Sequence, residues 1–172
     1  MGYTPIGLIP LPGMTATKLH TSVAIGAILY GPKVGLILGT IMGLTTLSKA
    51  ILAPASPLDL LFINPLVSVL PRALMGLITA YIFISVRKIV KKPGVNIGIA
   101  AAVASVANTI FTLGSLVLIY ANKIEVILKE LQIPGTVAAF IMGIITTNGI
   151  AEVVVTVILV IPVVLALKKV SH

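Results

Sequence analysis

Across 172 residues, 58% are hydrophobic, 9% are charged, and cysteine is absent. The mean hydropathy is +1.20. A soluble domain needs roughly a quarter of its residues charged to cover its surface, so this chain is an integral membrane protein. Lipid cannot satisfy backbone amides, and the apolar runs are continuous rather than alternating, so the spanning elements are α-helices and not barrel strands. The absence of cysteine excludes a disulfide framework, a thiol nucleophile and a thiolate metal site. The net charge of +8 comes from basic residues at the ends of apolar runs. There they orient a membrane protein and do not bind nucleic acid.

Met1 to Gly13, with its prolines and glycines, reads as an extended loop, and no N-terminal targeting segment is visible. Thr21 to Gly31 is a short apolar segment ended by Gly31-Pro32. Val34 to Ala53 follows, and Pro54, Pro57, Asp59, Asn64 and Pro65 make a loop of helix breakers. Val67 to Val86 is a span closed by Arg87, Lys88, Lys91 and Lys92, and Ile97 to Ala121 is the next. Asn122 to Gln132 mixes charges with Ile124, Ile127, Leu128 and Leu131, as an amphipathic outer helix or a solvated connector would. Thr136 to Leu167 would be about 48 Å long as a straight helix, against a hydrocarbon core of about 30 Å. Asn148-Gly149 is the natural place for that run to break. The reading is thus a single transmembrane domain, residues 1–172, with spans near 21–31, 34–53, 67–86, 97–121 and 136–167.

Lys33, the Arg87 to Lys92 cluster and Lys168-Lys169 fall on one side of the membrane, which the positive-inside rule makes cytoplasmic. Lys18, Lys49, Arg72, Lys123 and Lys129 fall outside or in the outer half. The C-terminus is then cytoplasmic, and an odd number of spans leaves Met1 outside with no helix before it.

Within the apolar runs, Gly35, Gly39 and Gly43 form a ridge on one helix face, for internal packing or for docking a partner subunit. Glu152 lies deep in the last run with Asn148 one turn before it, and a mid-membrane acid costs about 2.5–3.5 kcal/mol on insertion scales. Counting 1.5 Å per residue from the cytoplasmic ends puts Asn148 about 28 Å up, Glu152 about 22 Å, Arg72 about 21 Å and Asn108 about 16 Å. These side chains can converge on a site open to the outside, or Arg72 and Glu152 can form an internal pair that holds helices together. His20 stands on the same outer side, as an interfacial residue or a ligand contact. The chain contains no G-x-x-x-x-G-K-[ST], no H-E-x-x-H, no paired acids for hydrolysis and no potassium-filter signature. These absences disfavour an enzyme and call for neither cofactor nor metal, leaving a subunit that binds or transports a small solute.

The stretch HTSVAIGAILYGPKVGLILGTIMGLTTL, the P-x-x-P loop, NPLVSVLPRALMGLITAYI, NTIFTLGSLVLIY and TNGIAEVVV resemble the substrate-binding S components of energy-coupling factor (ECF) vitamin transporters. The resemblance runs from about His20 to Lys169 and is nearest to the pantothenate-type branch, with riboflavin and folate binders sharing the fold. It implies a six-helix membrane bundle, here without a counterpart to the first helix ahead of Met1. It also implies a vitamin site near the outer face, with Asn148, Glu152, Arg72, Asn108 and His20 as the candidate binding residues. The implied partners are a transmembrane coupling subunit, met in the family by the first helix that has no counterpart here, and two ATPases that carry the nucleotide chemistry. A structural or assembly protein, whose polar residues only knit helices together, is the reading from a different class.

Overall fold

The computed structural model of the protein describes residues 13–54, 59–130, 132 and 135–170, with side chains from His20 onward apart from Asn148 and Val170. The described residues form helices and short turns: α1 (Gly13–Tyr30), α2 (Pro32–Leu52), a 3₁₀ turn (Asp59–Ile63), α3 (Pro65–Ser68), α4 (Leu70–Ile89), α5 (Pro93–Glu130), α6 (Val137–Ile144), a π turn (Ile145–Gly149) and α7 (Ile150–Val170). Among them, four stretches are long and apolar enough to cross a membrane: Pro32–Leu52, Pro65–Ile89, Pro93–Glu130 and Val137–Lys169. The expected all-α membrane architecture is therefore present. Large apolar side chains such as Ile37, Ile41, Leu118 and Ile158 point outward, as a lipid-facing surface requires.

Helix boundaries follow local chemistry. The α1–α2 corner turns on Gly31, whose φ of 87° suits a residue without a Cβ, and Pro32 opens α2 where a missing N–H costs nothing. Asn64 caps α3 by accepting from the Leu66 amide. α1 starts at Gly13, about two turns ahead of the apolar segment, because a helix can carry polar residues such as Lys18 in its first turns. The expected break at Asn148-Gly149 takes the milder form of the π turn, which links α6 to α7 without ending the rod. The polar stretch after Ala121 continues α5 past a kink at Tyr120, where φ is −130° and ψ is 22°.

The glycine ridge brings α2 against α4 at backbone distance. A Cβ on Gly35 would overlap the Gly76 carbonyl, one on Gly39 the Arg72 carbonyl, and one on Gly43 the backbone of Ser68 and Val69. All three glycines are buried. The face expected to dock a coupling subunit is thus covered by α4, since small residues on both helices let their backbones touch.

Two apolar clusters fill the bundle. The larger, including Val23, Ile28, Met75, Phe83, Ile97, Val160 and Val164, lies toward the end where Arg87 and Lys168 sit. Lys168 stands 4.6 Å from the centre of the Phe83 ring, so the basic ends of α4 and α7 share a level. The smaller cluster joins Ala50, Leu61, Phe62, Val67 and Leu116 to Ile124 and Leu128 beyond the α5 kink, at the opposite end.

Candidate functional site

A polar layer lies between those two clusters, and a proline builds its centre. In a regular helix the Val67 carbonyl would accept from the amide of residue 71, but Pro71 has no N–H to give. The Arg72 side chain takes the vacancy, its Nη1 donating to the Val67 carbonyl at 2.6 Å. The guanidinium also sits 5.2 Å from the centre of the Phe62 ring. Arg72 is only 4% exposed, and its Nε has no partner. An unsatisfied buried donor costs about 1–3 kcal/mol, more when charged. Arg72 is therefore held from two sides and left with an unused N–H.

His20 comes to the same layer from α1. It is fully buried and not interfacial, because α1 packs against α4, α5 and α7 at once. Its Nδ1 lies 3.1 Å from Glu152 Oε1, and its Nε2 lies 2.9 Å from Thr156 Oγ1. Glu152 and Thr156 are one turn apart on α7, so one imidazole reaches both. The Glu152 side chain keeps 13% exposure. Arg72 and Glu152 are not in direct contact, and the direct partner of Glu152 is His20.

α5 completes the layer. The Asn64 side chain donates to the Tyr120 hydroxyl at 3.2 Å. Counting back along α5 and forward into α4 from that bond brings Arg72 level with Thr112 on the antiparallel helix. Asn108 lies about one turn nearer the basic end. Both side chains are buried, and neither Asn108 Oδ1 nor Thr112 Oγ1 has a partner. Ser105, a further turn along the same face, is in the same state. The layer thus offers an arginine N–H, an amide oxygen, a hydroxyl and the edge of a carboxylate.

Of the residues expected from the sequence, His20, Glu152, Arg72 and Asn108 stand on four different helices around this layer. Asn148 lies in the π turn, and its side chain is outside the described residues. Sequence reasoning missed Thr156, Thr112 and Phe62. Thr156 had a signal, four residues after Glu152, and Thr112 likewise follows Asn108 at helical spacing. Phe62 had none, because its approach to Arg72 depends on the 3₁₀ turn.

A helical membrane body with a buried, incompletely satisfied polar layer is the frame of a membrane protein that binds a small solute. The chain belongs to the ECF transporter, substrate-specific component family, whose model matches residues 1–164. It is 30% identical over 166 residues to the pantothenate transporter PanT of Leuconostoc mesenteroides, a match covering 93% of this chain and 78% of that protein. Against the pantothenic acid transporter PanT of Lactococcus lactis subsp. cremoris it is 28% identical over 178 residues, covering 95% and 83%. The sequence resemblance is thereby borne out: this is a membrane-embedded subunit that binds the vitamin for an ECF importer, and it works with ECF membrane and ATPase modules.

Proposed function

We propose that this chain is the pantothenate-binding subunit of an ATP-driven ECF importer, forming a single transmembrane domain. The observation that carries this is Arg72, whose buried Nε is left unpaired at the centre of the layer. An anion is the natural partner for that donor, and the names of the two relatives point to pantothenate among carboxylate-bearing vitamins. Pantothenate also carries an amide and two hydroxyl groups. Asn108 Oδ1, Thr112 Oγ1 and the second oxygen of Glu152 suit these, with His20 orienting Glu152 and with Asn148 in the π turn just ahead of α7.

The basic residues Lys33, Arg87, Lys88, Lys91, Lys92, Lys168 and Lys169 support a cytoplasmic side at their end of the bundle, and with it a cytoplasmic C-terminus. Arg72 lies about 22 Å along α4 from Arg87, so the layer falls in the outer half. The vitamin then enters from outside, and a transmembrane coupling subunit with two ATPases supplies the energy for its release inward.

Titration calorimetry on the detergent-purified protein tests this reading directly. Pantothenate should bind with a stoichiometry near one, while riboflavin and folate should give no heat. Binding of riboflavin or folate in its place would overturn the assignment.

A further inference from the structure

The layer contains a conflict that the fold resolves in an unexpected way. Arg72 and Glu152 are side chains of opposite charge type that stand at one level of the bundle without direct contact between them. Left to themselves in a low dielectric they would close into an ion pair, which would occupy the guanidinium. They do not, because each is held elsewhere. Arg72 is drawn to the Val67 carbonyl and the Phe62 ring on one side. Glu152 is held by His20, itself fixed at its other nitrogen by Thr156. The level is confirmed independently on α1, where a Cβ on Gly76 of α4 would lie 3.1 Å from Val23, one turn beyond His20.

We propose that His20 is a positioning residue for ligand specificity, one that keeps Glu152 off Arg72 so that the arginine stays open to an anionic ligand. The proposal rests on the binding reading above and adds to it the reason the carboxylate of this site does not cancel its arginine. Glu152 remains able to accept a hydrogen bond from a neutral group of the ligand through its other oxygen. Without His20, Glu152 turns to Arg72, and the site loses its preference for a carboxylate over a neutral group of similar shape.

The two ring nitrogens can be separated by substitution. Asparagine places its amide nitrogen close to where histidine Nδ1 stands, so His20→Asn retains a donor for Glu152. Glutamine places its amide near the Nε2 position, so His20→Gln retains the Thr156 contact and loses Glu152. Calorimetry with pantothenate and with pantothenol, in which a hydroxymethyl group replaces the carboxylate, reads the preference for the anion. The parent and His20→Asn should both prefer pantothenate strongly. His20→Gln should lose roughly tenfold or more of that preference, the worth of a charge-assisted hydrogen bond. Adding Glu152→Gln to His20→Gln removes the competing charge but keeps an acceptor oxygen, and should restore most of the loss.

Equal effects of His20→Asn and His20→Gln, or a double variant no better than His20→Gln, would overturn the positioning role while leaving the binding reading intact. A parent protein indifferent between pantothenate and pantothenol would instead overturn the reading of Arg72 on which the proposal stands. A His20→Gln protein that does not fold passes the test to Thr156→Val. That change frees the imidazole from its second anchor, and it should lower the preference for the anion in the same direction. No change in Thr156→Val would overturn the proposal.

Discussion

At the residue scale the structure turns on one proline and one arginine. Pro71 leaves a carbonyl without its helical partner, and Arg72 fills that place at the cost of burying a charge whose Nε finds nothing to bond. Such a group is poor for stability and good for binding, because its unmet donor is satisfied when an anion arrives. Arg72→Met, which keeps an unbranched apolar stem, should therefore lower pantothenate affinity about tenfold to a hundredfold. The ligand-free melting temperature should stay level or rise. Calorimetry reads the first and size-exclusion thermostability the second; the chain lacks tryptophan and cysteine, so neither intrinsic tryptophan emission nor a thiol dye would serve. Unchanged affinity would remove Arg72 from the site.

Single residues also show what was legible beforehand. Arg72, Glu152, Asn108 and His20 could be picked out because an ionisable or amide group in a long apolar run is costly and conspicuous. Their depth followed from the rise of a helix alone. Who pairs with whom did not follow. Glu152 has Arg72 and His20 as possible partners at one level, and choosing between them needs the rotation of α1, α4 and α7 about their axes. A histidine two residues after a lysine at the start of an apolar segment reads as interfacial, yet His20 is buried because α1 packs against α2, α4, α5 and α7.

At the element scale, backbone contact between α2 and α4 fixes where Arg72 stands. The Gly35, Gly39, Gly43 spacing announced a close helix approach, and its partner proved to be α4. A single methyl group is enough to test this. Gly39→Ala would press on the Arg72 carbonyl, a backbone atom that cannot swing aside, and overpacking of this kind costs about 1–3 kcal/mol. Gly114→Ala on α5 meets no atom within 4 Å and should be neutral or stabilising, through the higher helix propensity of alanine. Gly39→Ala should thus melt lower than the parent and Gly114→Ala should not. Equal melting of the two variants would mean that the crossing is looser than described.

The boundaries of elements were less readable than their existence. Proline and glycine marked the α1–α2 corner and the start of α3 without ambiguity, since their effects are local. Tyr120 gave no such mark. Its kink and its bond to Asn64 let α5 run on through Asn122 to Glu130 and lay Ile124 and Leu128 over the end of the layer away from Arg87 and Lys168. The Asn148-Gly149 pair signalled a weak point, but the rod absorbs it within a π turn because no loop is needed there.

At the scale of the whole molecule, the helical membrane body was legible from composition alone, since no polar surface of this size can be assembled from 9% charged residues. The importer role follows from the family. On the reading proposed above, this chain holds its solute in the polar layer and its ATPase partners do the pumping. The measurement that tests this most directly is the amount of labelled pantothenate held by vesicles containing the purified chain alone. The account predicts saturable retention of about one molecule per protein, reached quickly and independent of the internal volume. Retention that keeps rising and concentrates the vitamin in the lumen would contradict it, as would no retention at all.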